Sequence, residues 1–295
     1  MLALLVGIFS QTSFSSPFLT PEKPYTQAVN TLMELQKTYP QNAEIFDLGV
    51  SDSGEVIRGL RVGSGALQNM VVATHHGNEY GSTYVALKFA EDMAKTPIDG
   101  QTLWIIPVLN ITGYNRGSRY ETDSNNRSRD PNRDYPGPCG TSGPHVLKST
   151  KLLADFVAQK NIVSSATLHT YSPAVLYPWG VSTHDVETPY EKEFIDLSRL
   201  AAQYSGYQVG NSTLLLYPAD GTFEDYAFWK HGMWSLLFEM GLTHNPTQGQ
   251  LENMARGNVP GLRQFFANGP SVRADHHQFE GKCEARLKVL DLRDE

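Results

Sequence analysis

Apolar residues recur in two patterns along this chain, one at helical spacing and one as short continuous runs, and the two alternate over most of its length. Residues 25–37 carry Ala28, Leu32, Met33 and Leu35 at helical spacing and predict an amphipathic helix. Residues 45–48 and 55–62 predict strands around the turn Ser51-Asp52-Ser53-Gly54. The run 69–74, NMVVAT, has the pattern of a buried strand, and HHGNEYG and a helical pattern over 82–95 follow it. Apolar runs at 103–109, 163–168 and 234–238 predict further strands, the first weakened by Pro107. Helical patterns over 148–158 and 190–204 lie between them. The alternation predicts an α/β fold, a single domain with a central mixed, largely parallel β-sheet flanked by helices.

The longest stretch without apolar periodicity is 113–143, where Arg116, Arg119, Arg127, Arg129 and Arg133 sit among Gly, Ser, Asn, Asp and Pro. A loop of that length inside a compact domain is uncommon unless it serves function. Charged residues make up only 19% of the 295 residues and hydrophobic ones 40%, so a large core is within reach. The net charge of −7 argues against a nucleic-acid binder that works by neutralising phosphates.

Residues 2–9, LALLVGIF, are too few to span a bilayer. They match the apolar region of a signal peptide, with small residues at Ser13 and Ser15 suiting cleavage near Ser15 or Ser16, while a buried N-terminal strand is the alternative. This divides the chain into a leader at 1–16, a linker at 17–23, the main domain at 24–270 and a tail at 271–295 packed on the same domain. It predicts an exported protein, periplasmic or secreted, with no stable membrane insertion. Cys139 and Cys283 are compatible with one disulfide in an oxidising compartment, or with two unrelated thiols.

There is no G-x-S-x-G elbow, Walker A lysine loop or G-x-G-x-x-G, which weakens serine-hydrolase and nucleotide readings. His-x-x-Glu occurs three times, as His76/Glu79, His184/Glu187 and His277/Glu280. Chemistry in open α/β sheets collects beyond the carboxyl ends of strands. By that test His76 and Glu79 stand out, because they follow the 69–74 run, whereas the other two pairs read as surface pairs. The same test selects His169, which ends the 163–168 run, and Glu239, which ends the 234–238 run. Two histidines and a glutamate can hold one Zn2+ with an open position for water, and a second carboxylate can then serve as base.

These residues resemble the zinc metallocarboxypeptidases of the pancreatic carboxypeptidase A/B type and their bacterial relatives, over about residues 25–266. The family's zinc-binding H-x-x-E is similar to His76-Gly77-Asn78-Glu79, and its third histidine to His169 in HTYS. The D-x-N-R signature that grips a substrate's C-terminal carboxylate resembles Asp130-Pro131-Asn132-Arg133, and the catalytic glutamate resembles Glu239 in FEM. The tyrosine that closes over substrate resembles Tyr217 in LLLYPADG. The electrophilic arginine opens an R-x-T-R-like stretch, which points to Arg116, with Arg119 second and Arg127 a poorer match. The residue fifteen before the catalytic glutamate, at the base of the terminal side-chain pocket, falls on Glu224. The resemblance implies one Zn2+ per chain, a monomer, and a peptide substrate with a free C-terminal carboxylate; the short stretch before the domain departs from the pancreatic enzymes, and activation by removal of a large pro-segment is not expected. It further implies hydrolysis of the C-terminal peptide bond, with Glu224 favouring basic terminal residues. Alternatives within the superfamily are a cell-wall (murein) peptide amidase and an acyl-amino-acid amidohydrolase; outside it stands an inactive exported binding protein.

Overall fold

The computed structural model describes residues 22–140 and 145–283. The predicted leader and residues 17–21 of the linker lie outside the described residues, as do residues 284–295 of the tail. Among the described residues ten strands form in chain order: β1 (Ala43–Val50), β2 (Val56–Val62), β3 (Leu67–Ala73), β4 (Gln101–Ile106), β5 (Glu121–Thr122), β6 (Ser128–Arg129), β7 (Ser164–His169), β8 (Ala174–Tyr177), β9 (Gln208–Asn211) and β10 (Trp234–Glu239). The helices are α1 (Pro24–Thr38), α2 (Tyr80–Lys95), α3 (Ile111–Arg116), α4 (Lys148–Lys160), α5 (Glu191–Ala202), α6 (Ser212–Leu215), α7 (Phe223–His231) and α8 (Gln248–Asn268).

Eight strands make one sheet in the order β1-β2-β4-β3-β7-β10-β8-β9. Its centre, β4-β3-β7-β10, is parallel, and antiparallel pairs join β1 to β2, β2 to β4 and β10 to β8. Side chains alternate across the sheet along each strand. Val71 and Ala73 therefore enter the core under α2, α5 and α8, while Met70 and Val72 enter the core shared with α1, α4 and α7. Pro107 lies just past β4, so its missing N–H costs no ladder bond.

The arginine-rich stretch is more ordered than its lack of periodicity predicts. It begins in α3, contains the hairpin β5-β6, and passes through a 3-10 turn at Pro131–Arg133. Tyr135 within it is fully buried. Cys139 and Cys283 are joined as a disulfide with their Cα atoms 5.3 Å apart. The bridge ties the loop after Arg133 to the tail, and the chain-entropy account makes such a closure worth about 5 kcal/mol as an upper figure.

Candidate metal centre and cleft

Three adjacent parallel strands, β3, β7 and β10, carry the candidate residues at or just past their carboxyl ends. His169 and Glu239 are register partners across β7 and β10. After β3 the chain turns sharply at Thr74, a β-branched residue at φ +60°, a conformation that needs support from its surroundings. Support comes from its hydroxyl, which lies 2.6 Å from Thr83 Oγ1 and donates to Pro107 O at 2.9 Å. Nothing in the sequence marks Thr74 for this part. Gly77 follows because the turn runs against the backbone of Gly113 and Tyr114, where any Cβ would collide.

The turn brings His76 and Glu79 to face His169. His76 Nδ1 lies 2.7 Å from Glu79 Oε1, His169 Nδ1 lies 3.0 Å from Glu79 Oε2, and the two Nδ1 atoms are 3.3 Å apart. All three side chains are buried, and their donor atoms fall within 4.8 Å of one another. Two ring nitrogens and a carboxylate converging on one buried point form a donor set suited to Zn2+. The donors therefore fit the ion that the sequence implies. Burial raises the Glu79 carboxyl, but His76 and His169 outweigh it and hold it low.

Behind the trio stands Asp130, the first residue of the D-x-N-R signature, to which the sequence reading gave no separate role. Its Oδ1 lies 3.2 Å from His76 Nε2 and accepts from Asn132 N at 2.9 Å, while Oδ2 accepts from Arg119 Nε at 3.1 Å. One carboxylate thus orients a ligand histidine, the 3-10 turn and a guanidinium together. Burial raises its carboxyl, and His76, Arg133 and Arg119 hold it well below the usual carboxylate range. The signal available in sequence was its place as an acidic cap before Pro131-Asn132.

The cleft is lined by the trio together with Asn78, Arg119, Asn132, Arg133, Tyr217, Glu224 and Glu239. Arg133 Nη2 donates to Tyr217 Oη at 3.3 Å. Glu224, in the first turn of α7, is 4% exposed, and its Oε2 makes no hydrogen bond among the described residues. Its neighbour Asp225 turns away and accepts from Gly180 N at 3.0 Å; burial raises its carboxyl well above normal.

Arg116 is not brought to the cleft. It ends α3, and Gly117 in the left-handed conformation turns the chain there, leaving Arg116 exposed and donating to Thr122 Oγ1 at 3.3 Å. Arg119, ranked second by resemblance, lies in the cleft with Nη1 3.3 Å from His76 Nδ1. His184 and Glu187 are exposed, as expected of a surface pair. His277 differs from that expectation, because its ring packs on Phe228, Trp179 and Tyr190 with centroids 4.5 to 5.8 Å away.

Comparison with known proteins agrees with this geometry. The zinc carboxypeptidase family profile matches residues 28–261. Carboxypeptidase B of Astacus astacus is 25% identical over 243 residues, covering 66% of this chain and 78% of that one. Human carboxypeptidase B is 25% identical over 235 residues, covering 65% of this chain but only 56% of the human one. Among solved structures, bovine thrombin-activatable fibrinolysis inhibitor, in complex with a tick carboxypeptidase inhibitor, superposes with a TM-score of 0.76 at 17% identity, covering 82% of this chain and 95% of that one. Carboxypeptidase A from Helicoverpa armigera gives 0.70 at 18%, covering 82% and 72%. At such identities these two show the fold.

Proposed function

Because the chain belongs to the zinc carboxypeptidase family, metallohydrolases acting on peptide bonds, we propose that it removes the C-terminal residue of peptides and favours terminal residues with a cationic side chain. The observation that carries the preference is Glu224, a buried carboxylate lining the cleft with one oxygen unbonded. A carboxylate in that position is costly to leave unpaired, and a substrate ammonium or guanidinium would supply its partner.

His76, Glu79 and His169 would hold the zinc. When bound, the ion supplies Lewis-acid polarisation of the scissile carbonyl and lowers the pKa of a water at its open position. Glu239 is placed to accept a proton from the attacking water and to pass it to the departing amine nitrogen. Arg119, charged at all working pH values, donates to the developing oxyanion, an interaction that strengthens as charge builds. Asn132 and Arg133 receive the two oxygens of the terminal carboxylate, a geometry for which a guanidinium fork is suited. Tyr217, already bonded to Arg133, covers the terminal residue.

We place the protein outside the cytoplasm, since the leader pattern at 1–16 and the Cys139–Cys283 bridge both suit an oxidising compartment. The test of function compares kcat/KM for matched peptides ending in lysine and leucine, in wild type and Glu224→Ala, with and without chelator. We expect chelator-sensitive cleavage, a lysine preference, and its loss in the variant. Equal values in wild type, or a preference untouched by the mutation, would remove Glu224 from the pocket.

A further inference from the structure

Residues 272–283 follow α8 without forming a helix or strand, yet hydrogen bonds fix them at one end and a disulfide at the other. Trp234 Nε1 donates to Val272 O at 2.9 Å, Arg273 Nε donates to Ile162 O at 2.7 Å, and Ala274 N donates to Gly232 O at 2.8 Å. Asp275 N then donates to Tyr190 Oη at 3.0 Å. Beyond that point the segment packs by its rings. His277 lies on Phe228, and His277 and Phe279 both lie on the buried Trp179, the Phe279 ring edge to face with centroids 5.2 Å apart.

What Trp179 carries is one wall of the cleft. Next to it, Gly180 N donates to the two carboxyl oxygens of Asp225 at 3.2 and 3.0 Å, and Gly180 O accepts from Ala219 N at 2.7 Å. A Cβ at Gly180 would lie 2.9 Å from Ser212 Cβ, so this residue is pressed against the wall as well. Ser212, Ala219 and Glu224 line the cleft, and Asp225 follows Glu224 in the first turn of α7. The far end of the strap reaches the same segment. Cys283 is bonded to Cys139, and in the loop between Arg133 and Cys139 Tyr135 N donates to Gly221 O at 3.1 Å. Gly137 in that loop lies so near Asp220 that a Cβ there would come within 2.7 Å of Oδ1.

We propose that residues 272–283 position the pocket that receives the terminal side chain, with Phe279 and Trp179 as positioning residues and the Cys139–Cys283 bridge holding the far end of the strap. The proposal rests on the reading of the cleft as a site that removes a terminal residue. The wall between 212 and 224 has little regular structure of its own: α6 is four residues long, and 216–222 form no helix or strand. A segment without ladder or helix bonds keeps its place through what packs against it. Binding groups must be held within about 0.5 Å of their productive geometry, and the strap meets this wall at two places, through Trp179-Gly180 and through the bridged loop. The zinc ligands are set instead by β3 and β7 in the centre of the sheet. Loosening the strap therefore acts on substrate binding before it acts on the metal.

The experiment uses the zinc-loaded full chain and two N-terminally blocked peptides that differ only in ending in lysine or leucine. Phe279→Ala removes the ring on Trp179, Phe279→Leu keeps an apolar side chain there, and Cys139→Ser combined with Cys283→Ser opens the bridge. KM for both peptides is expected to rise about fivefold in Phe279→Ala and in the cysteine pair, with kcat and zinc content within about twofold of wild type. Phe279→Leu should recover most of the loss. An unchanged KM in Phe279→Ala overturns the proposal even where the thermal midpoint falls, since a merely structural tail lowers stability alone. A drop in kcat or zinc as large as the rise in KM overturns it too. A rise in Phe279→Ala without one in the cysteine pair removes the bridge from the strap, and the two Phe279 variants decide the outcome if the cysteine pair does not fold. Equal wild-type values for the two peptides remove Glu224 from the pocket and leave the strap to be judged on KM. Absence of turnover with both removes the peptidase reading itself, and this proposal with it.

Discussion

Asn132 Oδ1 accepts a hydrogen bond from Phe223 N at 2.9 Å, joining the 3-10 turn at Pro131–Arg133 to the first residue of α7, the helix that carries Glu224. With its carbonyl engaged, the amide nitrogen of Asn132 is the group left to meet a substrate carboxylate. Asn132→Asp keeps the acceptor for Phe223 but replaces the donor with a negative charge. KM for peptides is expected to rise by about tenfold or more, with zinc content and thermal midpoint near wild type. An unchanged KM would remove Asn132 from the carboxylate site.

Metal and proton transfer separate by mutation. His169→Ala leaves two ligands where three are needed, so zinc measured after dialysis should fall to background and activity with it. Glu239→Gln should retain stoichiometric zinc while turnover falls about a hundredfold, since an amide keeps the shape but takes no proton. His184→Ala and His277→Ala should leave zinc content unchanged. Stoichiometric zinc in the His169 variant would sink the ligand assignment.

The two arginines make opposite predictions. Arg119→Ala should lower kcat by about a hundredfold or more, the scale of losing one oxyanion donor. Arg116→Ala, altering an exposed side chain bonded to Thr122, should leave kcat/KM within about twofold. Comparable losses in both variants would contradict the placement of Arg116 outside the cleft.

Stability should carry the signature of a carboxyl far from the chemistry. Glu121 is fully buried in β5, and burial pushes its carboxyl up to about 8, although Ser149 Oγ donates to it at 2.6 Å. Between its ordinary value of 4.5 and 8 the folded chain holds a proton that the unfolded chain has released, so stability falls as pH rises through that window. The slope from one such group approaches about 1.4 kcal/mol per pH unit. Urea midpoints of wild type and Glu121→Gln at pH 5 and 7.5 should diverge, wild type losing more on going to the higher pH. Parallel curves would count against a raised carboxyl at Glu121.

The trio and Glu239 were legible because each follows a short run free of charged residues, and such runs become the central strands whose carboxyl ends meet. What was illegible had no periodicity to read. In α7 six consecutive residues, from Phe223 to Phe228, are buried, so no polar face marks it as a helix. Helix α8 contains Pro260 and several glycines that argue against helix by propensity. Gly261 is required there because α8 crosses the backbone of Ala201 in α5 too closely for a Cβ. Arg116 and Arg119 differ by three positions in one loop, and only the turn at Gly117 decides which enters the cleft.

The bridge between Cys139 and Cys283 also sets an order of events in the life of the molecule. Its first half lies six residues beyond Arg133, and its second is 144 residues further along the chain. A ribosome must therefore complete nearly the whole domain before the loop beyond Arg133 can be fastened. Fastening further requires an oxidant, which an oxidising compartment supplies and a reducing one withholds. The segment beside the turn at Pro131–Arg133 can thus be secured only once the rest of the domain has been made.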